Sequence, residues 1–124
     1  MPENAEGCIP LEHFDRAIDE RTRLVAITHV CFRNGAKLDV AEIVRMAHVR
    51  GALVILDCFQ TVGANRVDVQ ALGVDFVVGG MLKYLLGTAG IGFLYCRHPE
   101  GRRAPRPHRR HSLDRRQCAR RKTR

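Results

Sequence analysis

The sequence predicts an α/β protein of three layers, α/β/α, in which helices cover a mostly parallel sheet. Short apolar runs rich in β-branched residues alternate with amphipathic segments of helical spacing, as in chains that build such layers. One run, residues 53–56, is entirely apolar, which is typical of a strand buried on both faces. The last two runs are joined by a glycine-rich turn and no helix, so the final strand is expected to run antiparallel to the others.

The first half of the chain predicts two helices with a strand between them. Pro10 precedes apolar residues at helical spacing over residues 11–20, and proline suits the first turn of a helix. Residues 24–30 form a short apolar run and predict a strand. Asp39 resembles the first residue of a capping box, and Gly51 stands where a glycine commonly ends a helix. The second helix is therefore expected between them.

The second half predicts a short helix and three more strands. The helix is expected over residues 68–72, and the strands over residues 53–56, 75–78 and 91–96. Gly79 and Gly80 are expected to break the third strand of the sheet. The string GTAGIG that begins at Gly87 resembles a phosphate-binding loop, but it lies between two strands and opens no helix. We interpret it as a tight turn.

Length and composition indicate one globular domain. The chain has 124 residues, of which 45% are hydrophobic, and no apolar run is long enough to span a membrane. The first residues lack the pattern of a secretory signal, so a cytoplasmic location is expected. The five cysteines form no CxxC pair and no zinc-ligand spacing, so no metal site is predicted.

Positive charge is concentrated at the end of the chain. The net charge is +8, yet residues 97–124 contain twelve Lys and Arg against two acidic residues. Apolar periodicity also stops there, and a segment of this composition cannot bury enough apolar surface to offset the entropy of ordering. Residues 98–124 are therefore predicted to be a disordered basic tail.

A carboxylate and an amine follow two of the buried runs. Asp57 ends one run, and Lys83 follows another 26 residues later. Ligands of open α/β sheets bind at the carboxyl ends of strands. Pyridoxal phosphate needs an acid beside its ring nitrogen and a lysine amine for its aldehyde. An acid after a strand and a surface lysine are also common without any ligand, so spacing alone leaves both interpretations open.

Two further side chains lie near strand ends. His29 can face a ligand or serve as a structural histidine, and the sequence does not separate these roles. Cys58 adjoins Asp57, but a small buried hydrophobic residue is the expected role of such a cysteine.

The stretch of residues 51–95 resembles the class V aminotransferase family of pyridoxal-phosphate enzymes, which includes cysteine desulfurases, kynureninases and isopenicillin-epimerase-like proteins. The motif Asp57-Cys58-Phe59-Gln60 and the segment from Gly79 to Lys83 are similar to the family's motifs at two strand ends. The resemblance extends over residues 11–96. It implies that residues 1–97 are part of the large domain of the fold type I pyridoxal-phosphate transferases.

The resemblance also assigns roles to three residues. Lys83 would form the Schiff base with the cofactor, and Asp57 would pair with the pyridinium nitrogen. Gln60 would bind the phenolic oxygen of the cofactor, although it can instead cap the turn after the strand. Pyridoxal 5'-phosphate is therefore the implied cofactor.

Some residues depart from the pattern of the family. Gly80 and Leu82 stand where many cysteine desulfurases have Ser and His, and Phe32 stands where an Asn is expected. These departures favour the kynureninase-like or epimerase-like branch. Family members are also several times longer, so we expect a truncated form, with the basic tail read in a shifted frame as a hypothesis.

The resemblance implies an enzyme that acts on a small amino-acid substrate through a lysine Schiff base, and a homodimer for a full-length form. The isolated chain can nevertheless be inactive. One alternative is a catalytically inactive remnant of the fold. Another is a nucleic-acid-binding protein, but the basic tail has no aromatic residue for base stacking and would bind phosphates only without sequence specificity.

Overall fold

The computed structural model describes residue 4 and residues 7–99 of the chain. The helices are α1 at Leu11–Ala17, α2 at Val40–Val49 and α3 at Val69–Leu72. The strands are β1 at Leu24–Thr28, β2 at Leu53–Asp57, β3 at Phe76–Gly80 and β4 at Gly92–Cys96. The predicted tail lies outside the described residues except for its first two, His98 and Pro99. Within the described part of the chain, no helix is long and apolar enough to cross a membrane.

The four strands form one sheet in the order β1-β2-β3-β4. The pairs β1–β2 and β2–β3 are parallel, and β4 runs antiparallel to β3. Thr28 lies opposite Asp57, and Asp57 lies opposite Val78, so the carboxyl ends of the three parallel strands meet at one edge. The predicted α/β class, with a mostly parallel sheet and a final antiparallel strand, is confirmed.

Local capping signals set the bounds of two helices. The Asp39 side chain accepts a hydrogen bond from the Glu42 N–H at 3.2 Å and begins α2, while Gly51 follows its end with a φ of 76°. Asp68 accepts in the same way from the Ala71 N–H at 3.0 Å, and Gly73 ends α3 in the left-handed conformation. Both predicted starts are confirmed.

The first helix is shorter than its periodicity predicted. It ends at Ala17 rather than at residue 20, because Ile18 adopts an extended conformation and is buried. The Asp19 carboxylate then accepts hydrogen bonds from the N–H groups of Arg21 and Thr22, both at 3.0 Å. This local turn competes with continuation of the helix.

The predicted break at Gly79 and Gly80 is wrong, because β3 continues through both glycines. Gly79 pairs with Phe93 and Gly80 pairs with Gly92 in β4. A side chain at Gly79 would approach the Phe93 ring to 2.6 Å, and one at Gly80 would overlap the Phe59 ring. The glycines therefore allow aromatic rings to pack on the strand and do not end it.

The core lies on one face of the sheet. Alternate strand residues point toward α1 and α2 and are almost completely buried, namely Val25, Ile27, Val54, Leu56 and Val77. On the opposite face, Leu24 keeps 50% and Leu94 keeps 65% of its surface exposed. The helices among the described residues thus form a single layer, and the other face of the sheet is open. The second helical layer of the predicted α/β/α arrangement does not occur among these residues.

Candidate active site

Asp57 lies at the carboxyl end of β2, the middle strand of the parallel three. By alternation along the strand, its side chain belongs to the open face of the sheet, and it is exposed. Its Oδ1 accepts the N–H of Phe59 at 2.8 Å and so fixes the first turn after the strand. Among the described residues, no hydrogen-bond donor reaches its Oδ2. That oxygen is available to a ligand.

Lys83 lies in the loop between β3 and β4. The loop is closed by backbone hydrogen bonds, in which the Gly87 N–H donates to Met81 at 2.8 Å and the Met81 N–H donates to Ile91 at 3.0 Å. The Lys83 Nζ lies 5.4 Å from the centre of the Phe59 ring. Phe59 is two residues after Asp57, so the amine lies against the turn that follows the acid.

A close approach of two loops holds these residues together. Gly63, in the turn after β2, has a φ of 88°, and a side chain there would overlap the backbone at Tyr84 and Leu85. Only glycine tolerates both the conformation and the contact. The turn after β2 therefore packs directly on the loop of Lys83, which is a constraint that spacing in the sequence did not show.

Gln60 lies in the same turn and is half-buried. Its side chain makes no hydrogen bond to any residue in the described part of the chain. The turn is closed instead by the N–H groups of Thr61 and Val62, which donate to the Cys58 carbonyl at 2.8 and 3.0 Å. The alternative role of Gln60 as a turn cap is therefore wrong, and its amide remains available for a ligand.

His29 does not join this group. It lies on the helix-covered face of the sheet, is 2% exposed, and its backbone N–H donates to the Asp57 carbonyl at 2.9 Å. Burial, together with the nearby charge of Lys37, lowers the pKa of the imidazole. The neutral form of His29 is thus favoured on the helix-covered face, whereas the Asp57 side chain lies on the open face.

Cys58 has the role expected of a small buried residue. It is 0% exposed, and its backbone N–H donates to the Val78 carbonyl at 2.8 Å. Burial, and to a smaller extent the Asp57 charge, raises the pKa of the thiol to about 11. Because the thiolate is the reactive form, Cys58 is unsuited to nucleophilic chemistry near neutral pH. No group of three His, Cys, Asp or Glu side chains in the described residues could hold a metal ion.

Asp57 ends β2 and Lys83 lies in the loop after β3, and an acid and an amine after neighbouring strands are typical of small-molecule sites in α/β enzymes. Comparison with known proteins agrees with this class. The family described as aminotransferase class-V matches residues 1–109. The chain belongs to the class V aminotransferase family, which consists of pyridoxal-phosphate-dependent enzymes.

Two curated relatives show how far the similarity reaches. A probable cysteine desulfurase of Methanothermobacter thermautotrophicus is 44% identical over 90 residues, which cover 73% of this chain and 22% of the relative. An aminotransferase of Bacillus subtilis is 37% identical over 92 residues, which cover 74% of this chain and 25% of the relative. Cysteine desulfurases are therefore among its relatives, although Gly80, Leu82 and Phe32 favoured other branches of the family.

A solved structure has the same arrangement. The cysteine desulfurase CsdA of Escherichia coli superposes with a TM-score of 0.71 at 30% identity, over 77% of this chain and 24% of that protein. The chain spans about a quarter of the length of the proteins that it matches. The similarity therefore covers one part of each of these longer proteins.

The side chains at the site fit the ring end of pyridoxal phosphate. Asp57 has an oxygen without a donor, Lys83 has an exposed amine, and Gln60 has an amide that the turn does not use. These are the acid, amine and hydrogen-bond donor that the ring nitrogen, aldehyde and phenolic oxygen require. Gly80 and Leu82 supply no side-chain donor for the phosphate. The described residues therefore match the reactive end of the cofactor.

Proposed function

We propose that this chain forms the lysine-bearing part of a pyridoxal-phosphate-dependent enzyme that acts on a small amino acid. The observation that carries the proposal is that the Lys83 Nζ lies 5.4 Å from the ring of Phe59, two residues after Asp57 at the carboxyl end of β2. Membership of the class V aminotransferases supports it. When bound, pyridoxal phosphate supplies an electron sink for the electrons released at a substrate carbon.

Lys83 is assigned the covalent role. Its amine is exposed and lies on a loop fixed by backbone hydrogen bonds, so it can reach a carbonyl carbon with little rearrangement of the chain. Lys83 would hold pyridoxal phosphate covalently through its amine and the aldehyde carbon of the cofactor.

Asp57 and Gln60 are assigned to the aromatic ring of the cofactor. The Oδ2 of Asp57 would accept a hydrogen bond from the ring N–H and favour the charged form of the ring. The Gln60 amide lies three residues further along the chain and would donate to the phenolic oxygen. Both residues would orient the ring, and Asp57 would also hold the proton on the nitrogen. By the same family resemblance, the full-length enzyme is expected to act as a homodimer.

The proposal is tested by reductive trapping. The chain contains only three lysines, Lys37, Lys83 and Lys122, so a single peptide map assigns the adduct. Pyridoxal phosphate is added, the visible absorption band is recorded, and borohydride then fixes the link. We expect the adduct on Lys83, and no band in Lys83→Arg, which keeps the charge but cannot form the link at neutral pH. Labelling of Lys37 or Lys122 with Lys83 unmodified would refute the assignment.

A further inference from the structure

We infer that Phe59 is a positioning residue for Lys83, because its ring holds the lysine ammonium at the strand end that carries Asp57. The inference deepens the proposed function and rests on it, since it concerns the same amine. The Lys83 Nζ lies 5.4 Å from the centre of the Phe59 ring, within the range in which an aromatic face attracts a cation.

The orientation of the ring is fixed by the residues around it. The Phe59 N–H donates to Asp57 Oδ1 at 2.8 Å, so the acid holds the backbone of Phe59 in the turn. The ring packs on Gly80 of β3 so closely that a side chain at Gly80 would overlap it. Phe59 is half-buried as a result. The ring therefore contacts the strand that leads to Lys83 as well as the turn that follows Asp57.

Lys83 needs such a contact to stay near the site. Its side chain is exposed, and a free lysine side chain loses considerable rotamer entropy when it is held in one position. No other aromatic ring in the described residues lies beneath a lysine or arginine. The Phe59 ring thus gives the amine a preferred position against the turn that follows Asp57 before any ligand is present.

The contact also governs when the amine reacts. An aromatic face attracts the ammonium ion but not the neutral amine, because the attraction is that of a charge to the ring quadrupole. Nucleophilic attack requires the neutral amine. Lys83 must therefore leave the ring before it attacks a carbonyl, and removal of the ring should make the amine more reactive toward aldehydes.

Two substitutions distinguish the effect of the aromatic face of Phe59 from the effect of its packing volume. Phe59→Leu keeps an apolar side chain against Gly80 but has no aromatic face, whereas Phe59→Tyr keeps the face. The cofactor-free protein is treated with limiting formaldehyde and a mild borane reductant, and methylation of Lys83 is measured relative to Lys37 by mass spectrometry. We expect roughly a two- to fivefold rise in the Lys83 to Lys37 ratio for Phe59→Leu. Phe59→Tyr should restore the wild-type ratio.

A second measurement does not depend on any variant. With ¹³C-formaldehyde, the methyl groups on Lys83 of the wild-type protein should resonate upfield of those on Lys37, because the lysine remains charged over the ring. Equal chemical shifts at the two lysines would overturn the inference, as would equal labelling ratios in wild type and Phe59→Leu. A similar rise in both variants would show that only packing matters and would overturn it too. Formaldehyde needs no cofactor, so failure of this test is distinct from failure to trap pyridoxal phosphate at Lys83.

Discussion

At Asp57 the two carboxylate oxygens have different tasks. Oδ1 accepts the Phe59 N–H and shapes the turn, while Oδ2 has no donor among the described residues. Removal of the whole carboxylate would alter both tasks at once. Asparagine keeps an oxygen in the position of Oδ1 and removes the negative charge, so it isolates the ligand-binding task.

For Asp57→Asn we expect the free energy of unfolding to change by no more than about 0.5 kcal/mol. The affinity for pyridoxal phosphate should fall about tenfold or more, because a hydrogen bond to a charged partner is lost. Urea unfolding and an absorbance titration measure the two effects. Asp57→Ala serves as the comparison and should also lose about 1 kcal/mol of stability, since the turn loses its acceptor. Unchanged affinity in the asparagine variant would assign Asp57 a purely structural role.

His29 makes stability depend on pH. Its pKa in the folded protein is lowered from 6.5, first by burial and second by the Lys37 charge. The unfolded chain therefore binds a proton that the folded chain does not, once the pH falls below about 6.5. The charged or titratable residues that line the cavity beside His29 are Lys37, Asp39, Arg66 and Asp68.

Acidification from pH 7.5 to pH 5 should accordingly lower the free energy of unfolding. The stability contributed by His29 is fully present above its pKa in the unfolded chain and is lost as the pH falls through its pKa in the folded protein. His29→Gln should reduce the pH dependence, and Lys37→Met should reduce it less, because Lys37 is the smaller cause. Urea midpoints measured across this range provide the readout. Identical pH profiles for wild type and His29→Gln would contradict the explanation.

At the scale of the element, α2 depends on its first residue. The Asp39 side chain accepts the Glu42 N–H at 3.2 Å, and the apolar face of the helix packs on β2 with Ile43 and Ala47 completely buried. A ten-residue helix is marginal in water by itself, so both the cap and the packing are needed.

Asp39→Ala should therefore destabilise the protein by about 1 kcal/mol, because one N–H at the start of α2 loses its acceptor. Asp39→Ser supplies another acceptor and should lose much less. Thermal unfolding followed by circular dichroism compares the two. Equal loss in both variants would show that the charge of Asp39, and not its hydrogen bond, stabilises the helix.

At the scale of the whole molecule, burial is one-sided. Leu56 on the helix-covered face is 0% exposed, whereas Leu94 on the open face is 65% exposed. Parallel strands are usually covered on both faces. The described residues therefore supply about half of the cover that such a sheet needs.

Matched leucine substitutions test this asymmetry. Leu56→Ala should reduce the free energy of unfolding by about 2–5 kcal/mol, since it leaves a cavity in the core. Leu94→Ala should reduce it by less than about 1 kcal/mol, because most of its surface is already in water. Chemical unfolding of both variants gives the comparison. Similar losses at the two sites would show that the open face is covered in solution.

The sequence was sufficient for the class of fold and for the presence of each helix and strand among the described residues. Apolar period and capping located them, because these signals depend on residues close together in the sequence. These local signals gave the wrong end for two elements, because contacts with distant residues set those ends. Ile18 left the helix to enter the core, and Gly79 and Gly80 extended a strand because Phe93 and Phe59 pack on them.

The same division applies to the site. The sequence alone indicated that Asp57 ends one strand, that Lys83 follows another, and that the motifs around them resemble those of one enzyme family. Contacts between distant parts of the chain were needed to show that His29 faces away from Asp57, that Gln60 is not a turn cap, and that Phe59 lies beneath Lys83. Apolar patterns along the chain indicate which residues lie at strand ends. The face on which a side chain lies, and what it touches, depends on register and on contacts between residues far apart in sequence.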